Sequence, residues 1–399
     1  MSKICLRLLR RPQATSLGRG LFFRSQVAGL DWRLAGGLIL EVIRALVCLS
    51  LLAGDLAWTA PFSNLKRQQE VVFYPTLAHS AEAGGGWELE IHGCVYDFDQ
   101  RRLALALLRE ALGLEGVALT PAENKLLTER ARLFMVDHKA GKKLVVRIGG
   151  QTFTLSKSTA NGQFSGTIRL SDSEAQALKT SATPIQAVLP ANDPRQFIGA
   201  LNLFADAGIT VISDIDDTIK VTQVHDRKAT LRNTFLNPFQ PVPGMAEVYR
   251  AWAERPAAQF CYVSASPWQL FLPLSEFVRS NGFPAGMFYL KNFRLKDESV
   301  FSLFQNPEKY KPVVIEPLLK QFPQRQFVLV GDSGERDPEI YGRLARQYPG
   351  QVIRIFIRNV SGEPAGAPRY KNAFRDLPSA LWKVFQDPSE IIGLLPQPN

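Results

Sequence analysis

From Gly208 to Val360 the chain alternates between two kinds of segment, and this alternation constrains its fold more than any other feature. GITVISD, AQFCYVSAS, RQFVLVGDSG and QVIRIFIRNV are runs of β-branched and aromatic residues of strand length. Around them lie PGMAEVYRAWAE, PWQLFLPLSEFVRSNG, PVVIEPLLKQFP and DPEIYGRLARQYPG, which read as helices. Apolar strands separated by helices predict a parallel sheet covered on both faces, because parallel neighbours need a crossover connection and both sheet faces must be buried. In such sheets the functional residues lie at the carboxyl ends of the strands. There the chain places Asp214, Ser264 and Asp332.

Upstream the period shortens. SAEAGGGWELEIHGCVYDF passes from a Gly-rich joint into an alternating strand, and RRLALALLREALGL predicts a helix. TPAENKLLTERARLF opens a second helix, with Thr120 as N-cap, Pro121 at its first position and Glu123 completing a capping box. The runs KKLVVRIGG, QTFTLSK, FSGTIRLS, IQAVLP and QFIGALNLF alternate with period two between turn residues, which predicts an antiparallel β-sandwich or small barrel. Nothing in it has the residue types of a catalytic centre, so it reads as a scaffold. The expected plan is a targeting segment over 1–60, a linker over 61–86, a β-rich accessory domain over 87–205, an α/β catalytic domain over 206–390 and a tail over 391–399.

Charge and cysteine usage narrow the setting. Of the net charge of +10, half lies before Pro61, where eight basic residues face three acidic ones. Arginines up to Arg44, then the apolar ALVCLSLLAGDLAW, then TAPFSNLKRQQ read as a signal peptide, or as a membrane anchor if the segment is retained. The expected location is accordingly exported, periplasmic or extracellular, or membrane-anchored. The remaining chain is mildly basic, which suits an anionic substrate or peripheral contact with a membrane surface, and no nucleic-acid partner is expected. Cys94 and Cys261 fall in different domains, and no pair has zinc spacing. The four histidines (His79, His92, His138 and His225) are scattered without a metal-ligand spacing.

The chemistry concentrates in VISDIDDTIKV. Asp214 and Asp216 flank Ile215, and alternate residues of an extended segment point the same way, so two carboxyl groups share one small volume. A carboxylate can attack phosphorus, and a second can protonate the leaving alkoxide and then activate water. Two anions and a phosphate in one pocket call for a cation, and Mg²⁺ suits such oxygen ligands. GDSGERD adds Asp332 as a metal ligand at another strand end, with Asp337 to orient it or the metal's water. Ser264 is placed to donate to a phosphoryl oxygen. Lys311, read as lying just before a helix and preferred over Lys309, can neutralise the phosphoryl group and the attacking carboxylate together. Each motif alone is common loop chemistry; their order within one domain gives them weight.

That order resembles the haloacid dehalogenase-like phosphohydrolases. DIDDTIK, LRNTFLNPFQPVPGMAEVYRAWA, YVSASPWQLF and FVLVGDSGERDPEIYGRLA resemble more narrowly the catalytic domain of the actin-patch-associated, lipin-related phosphatidate phosphatases and their bacterial relatives. The resemblance implies a Rossmann-like core with a minimal cap and a Mg²⁺-dependent phosphatase acting on phosphatidate or a related lipid phosphate. It further implies that Asp214 is the nucleophile and Asp216 the general acid/base. Ser264 and Lys311 stabilise the phosphate, and Asp214, Asp216, Asp332 and Asp337 form the metal side. Arg358 in IFIRNV also matches the pattern, as a phosphate or loop contact. Two other functions stay open: a phosphatase for soluble or macromolecular phosphomonoesters, and an inactive surface-binding module. Phe235, Phe239, Trp268 and Phe271 are either a lipid-contacting cluster or core packing, and core packing is the expectation. His225, Arg227 and Arg232 either meet a headgroup or form a solvated face.

Overall fold

The computed structural model of the chain describes residues 61–81, 85–98, 109–110, 112–178, 184–255, 258–291 and 307–396. The targeting segment expected over 1–60 and most of the helix expected over 101–114 lie outside the described residues. Residues 61–399 form one unit. Among the described residues no helix is long and apolar enough to cross a membrane.

The first part is mostly β. Strands β1 (Gln69–Phe73), β2 (Thr76–Ser80) and β3 (Trp87–Phe98) are followed by helix α1 (Pro121–Phe134) and strand β4 (Val136–His138). Then come β5 (Val145–Ile148), β6 (Gln151–Thr154), β7 (Gln163–Leu170), α2 (Asp172–Leu178), β8 (Ile185–Ala187), β9 (Ile198–Gly199) and β10 (Leu201–Phe204). A six-stranded sheet runs β1-β3-β2-β10, with β4 and β7 also paired to β3, and a four-stranded sheet runs β6-β5-β8-β9. Between them Val71, Ile91, Val95, Val146, Ile148, Phe164 and Ile185 pack as one buried cluster, the inward residues of a sandwich. The stretch 61–86, expected as a linker, contributes β1 and β2. Val71 and Phe73 alternate inward there, but Pro75 splits the run into two pieces each too short to stand out. The capping box opening α1 is present, with Thr120 Oγ1 accepting from the Glu123 N–H at 3.2 Å and Glu123 accepting from the Thr120 N–H at 2.9 Å.

The second part is α/β. Its elements are β11 (Gly208–Asp214), α3 (Arg227–Phe235), α4 (Met245–Ala253), β12 (Gln259–Pro267), α5 (Phe271–Ser280), β13 (Met287–Lys291), α6 (Pro307–Gln321), β14 (Arg325–Asp332), α7 (Asp337–Gln347), β15 (Val352–Arg358), α8 (Pro368–Ala373) and β16 (Trp382–Phe385). The four strands legible in sequence are joined by β13 and β16, giving six parallel strands in the order β13-β12-β11-β14-β15-β16. Alternation decides which side chain goes where. Val211, Tyr262, Val330 and Phe356 pack on one face with α4 and α5 residues such as Trp252 and Leu274. Ile212, Val263, Leu329 and Ile357 pack on the other with Leu319 of α6, Leu344 of α7 and Tyr370 of α8. Helix α6 starts earlier than expected. Pro312 reads as a start signal, but the helix begins at Pro307 and continues through Pro312 and Pro317, so Lys311 lies inside it rather than ahead of it.

The two parts are not beads on a string. Tyr74, Cys94, Leu127 and Phe134 belong to the same buried cluster as the α4 and α5 face. Buried Arg325 donates to the carbonyls of Ala205, Ala207 and Ile209, which tie β14 to the chain entering β11. Arg130 of α1 donates to the carbonyls of Thr234 and Asn237, both at 2.7 Å.

Candidate active site

Strand order reverses at β11, whose next strand in sequence, β12, lies on one side and β14 on the other. The carboxyl end of a sheet at such a reversal is a natural crevice, since the two crossovers leave in opposite directions. Asp214 ends β11 and Asp332 ends β14, both buried. Asp337 opens α7, and its Oδ2 accepts from the Asp332 N–H at 3.2 Å. Gly331 makes room for it, because a Cβ there would lie 2.1 Å from that Oδ2.

Ligand oxygens of Asp214, Asp332 and Asp337 all lie within 4.8 Å of one another. Lys311 reaches in from α6, with Nζ 3.0 Å from Asp214 Oδ1, 2.5 Å from Asp337 Oδ1 and 2.9 Å from Glu335 Oε2. Lys309 is exposed, so the structure brings Lys311 and not Lys309 to the carboxylates. Thr218 Oγ1 donates to Asp214 Oδ2 at 3.1 Å. Burial pushes the Asp214 carboxyl well above the usual range. Lys311 opposes that push, and Asp337, Glu335 and Asp332 add to it. Burial likewise raises Asp332, reinforced by Asp337 and Glu335. Burial alone would lower Lys311, but the carboxylates of Asp214, Asp337 and Glu335 hold it well above its ordinary value.

Asp332 Oδ1 accepts from the N–H groups of Gly334 and Glu335, whereas its buried Oδ2 has no hydrogen-bond partner among the described residues. A buried carboxylate oxygen without a donor is costly. With one lysine against this many acidic groups, an all-oxygen donor set of this kind fits a hard divalent cation such as Mg²⁺. Asp214, Asp332 and Asp337 are the residues that could hold it.

The Asp216 carboxylate lies outside that group. Its Oδ1 pairs with Lys220 Nζ at 2.8 Å and accepts from Thr222 Oγ1 at 2.7 Å. Its Oδ2 accepts from Ser264 Oγ at 2.8 Å and Ser266 Oγ at 3.1 Å. Burial alone would raise Asp216, but the Lys220 charge and these hydrogen bonds bring it down to about 2. Asp217 is a turn residue at φ 54°, and its carboxylate accepts from the N–H groups of Thr222, Gln223 and Val224. Arg358 donates to the Asp217 carbonyl at 2.6 Å, which makes it a loop contact.

Residue reading missed Lys220, Ser266 and Glu335. Lys220 carried a signal, a lone lysine between buried Ile219 and half-buried Val221 directly after three aspartates. Ser266 and Glu335 carried none beyond their motifs. The aromatic residues are packing: Phe235 and Phe271 are buried, Trp268 packs tilted against Tyr74 with ring centroids 4.1 Å apart, and Phe239 lies under Arg130 at 3.9 Å. Arg232 pairs with Glu123 of α1, and exposed His225 lies beside Gly334. Cavities of about 160 and 620 Å³ lie along the seam between the β-rich part and α5, and the site carboxylates line neither.

Fold and site together define an α/β protein with a buried carboxylate–lysine centre at the carboxyl edge of a parallel sheet. Comparison with known proteins is narrower. Residues 209–359 match the family model described as phosphatidate phosphatase APP1, catalytic domain. Phosphatidate phosphatase APP1 of Saccharomyces cerevisiae is 35% identical over 220 residues, 54% of this chain and 34% of that protein. An uncharacterized protein of Schizosaccharomyces pombe is 32% identical over 163 residues, 40% of this chain and 26% of that protein. The chain thus spans about a third or less of the length of these curated relatives. A crystal structure of flavohemoglobin from Malassezia yamatoensis aligns over 73% of this chain and 61% of that one, at 10% identity and a TM-score of 0.18, which carries no argument about fold.

Proposed function

We propose that the protein is a Mg²⁺-dependent phosphomonoester hydrolase of the haloacid dehalogenase-like type, with a Rossmann-like core, acting on phosphatidate or a related lipid phosphate. The observation that carries this reading is the convergence of Asp214, Asp332, Asp337 and Lys311 at one buried strand edge. The relatives supply the lipid. The aromatic residues do not, since they are engaged in packing.

In this reading an Asp214 oxygen attacks phosphorus, the ester P–O bond breaks, and the leaving oxygen takes a proton from Asp216. Water then attacks the aspartyl-phosphate, gives its proton to Asp216 and frees Asp214 and inorganic phosphate. Lys311 holds Asp214 in place and offers charge to the phosphoryl oxygens. Asp216 rests ionised. Its donors Ser264, Ser266 and Lys220 are the groups a phosphoryl oxygen would draw to itself, and Asp216, relieved of them, takes from solvent the proton it then gives to the leaving oxygen, returning the proton it gains from water to solvent at the end of the cycle. Mg²⁺, when bound by Asp214, Asp332 and Asp337, supplies charge neutralisation for a dianion entering an acidic pocket. Export, or anchoring with access to a membrane surface, is the setting proposed from the sequence of residues 1–60.

Phosphate release tests this, with phosphatidate in mixed micelles beside a panel of soluble phosphomonoesters, with Mg²⁺ or with EDTA. Asp214→Asn should keep its circular dichroism and lose turnover by at least about a thousandfold, as expected for a lost nucleophile. Substantial turnover by a folded Asp214→Asn variant would overturn the mechanism. Activity confined to soluble esters would keep the mechanism and discard the lipid.

A further inference from the structure

We infer that Arg369, beyond the stretch matched by the relatives' catalytic family, is a positioning residue for the loop that carries Asp332 and Asp337. The inference rests on the reading of that loop as a divalent-cation site.

One guanidinium joins four groups. Arg369 Nη1 donates to the Ser333 carbonyl at 2.6 Å, and Nη2 donates to the Glu335 carbonyl. Nε and Nη2 pair with the two Glu339 carboxylate oxygens at 3.0 and 3.2 Å, and Nη1 lies 3.5 Å from Glu363. The two carbonyls belong to residues between the proposed metal ligands, at the point where Gly334 and Glu335 turn their N–H groups onto Asp332 Oδ1. Holding Ser333 and Glu335 therefore fixes how Asp332 presents its unpartnered Oδ2. Ser333 is also held from the far side, its Oγ accepting from the N–H groups of Val360 and Ser361 at 2.9 Å.

What brings Arg369 here is close contact between helices. Gly342 of α7 lets the Ala373 carbonyl of α8 come so near that a Cβ would lie 2.0 Å from it. Arg346 of α7 donates to that carbonyl at 3.0 Å. Helix α7 thus carries Asp337 and Glu339 in its first turn and the docking surface for α8 beyond, so α8 reads the position of the loop through α7. A planar fork with five donors reaches two carbonyls and a bidentate carboxylate at once; a lysine ammonium cannot.

The test compares wild type with Arg369→Ala, Arg369→Lys and Gly342→Ala, the last keeping the arginine but displacing α8. Mn²⁺ and Mg²⁺ binding are measured by calorimetry, and amide exchange of residues 333–336 is followed in the metal-free protein. Arg369→Ala should weaken Mn²⁺ binding by about 10–100-fold, as loss of an outer support of metal ligands does. It should also raise the Mg²⁺ needed for half-maximal phosphate release, with kcat at saturating Mg²⁺ within about threefold of wild type, and speed exchange at 333–336. Arg369→Lys should recover only a small part, and Gly342→Ala should move the same readouts in the same direction. Unchanged metal affinity and exchange in folded Arg369→Lys and Gly342→Ala proteins would overturn the inference, as would an equal loss of kcat at every Mg²⁺ concentration. Failure of wild type to bind either ion would sink the cation reading instead, while accelerated exchange at 333–336 would still establish the clamp on the loop.

Discussion

At the scale of single residues, the two aspartates of D-x-D live in opposite surroundings although one residue separates them. Asp214 faces acidic neighbours and one lysine, and burial raises it. Asp216 collects hydroxyl donors and Lys220, and these overcome burial to bring it down to about 2, against an ordinary value of 3.8. The proposed mechanism gives Asp214 the part of nucleophile and Asp216 that of proton carrier. The sign of the Asp216 shift sets a pH dependence. A carboxyl lowered in the folded state contributes stability that is complete above its unfolded pKa and is lost as pH falls through the folded one. Urea unfolding should therefore show stability falling from about pH 4 to about pH 2, and Asp216→Asn should flatten that window. The same variant leaves Lys220 buried without its counterion, so its stability at neutral pH should drop by about 3–5 kcal/mol. An unaltered slope in the variant would assign the acid lability to other carboxylates.

At the scale of elements, the site is built where a strand ends and a helix begins. β14 stops at Asp332, α7 starts at Asp337, and the first-turn position of Asp337 places its carboxylate back over the Asp332 N–H. Gly331 is the point of closest approach. Glycine-to-alanine changes inside strands generally help, but here the methyl group would meet Asp337 Oδ2 at 2.1 Å, so the helix start must move. Gly331→Ala is expected to cut phosphate release by at least roughly tenfold and to raise the Mg²⁺ needed for half-maximal release. Activity titrated against Mg²⁺ decides this, and a wild-type profile would show that α7 shifts without cost.

At the scale of the whole molecule, the β-rich part has a buried cluster of its own but shares two others with the α/β part, so the two cores are continuous. Leu127 and Phe134 of α1 lie in the cluster of Trp252 and Phe277, and Leu77 and Phe204 lie in that of Leu319 and Leu344. Arg325 adds partly buried hydrogen bonds across the junction at Ala205 and Ala207. Thermal unfolding followed by near-ultraviolet circular dichroism and by tryptophan fluorescence should give one coincident transition. Two separated transitions would mean that the parts fold as independent domains. A fragment beginning at residue 206 should bind a hydrophobic dye, since it would expose the face that α1 and Tyr74 cover.

The alternation of strands and helices after Gly208, the sandwich-like strands before it and the aspartates at strand ends were all legible by eye, because each rests on local period and on where a run of apolar residues stops. Residue identity also picked out Asp214, Asp332, Asp337 and Lys311, which the structure brings together. Only the tertiary structure decided that Asp216 is satisfied by Ser264, Ser266 and Lys220, that Glu335 joins Lys311, and that Arg369 of α8 holds the carbonyls of the loop between Asp332 and Asp337. Those are contacts between segments far apart in sequence, and period carries no information about them. The start of α6 went astray for a related reason. Pro312 marks a helix start on local rules, yet Lys311 is buried against three carboxylates and its neighbours pack on the sheet, so tertiary packing outweighs two missing backbone bonds.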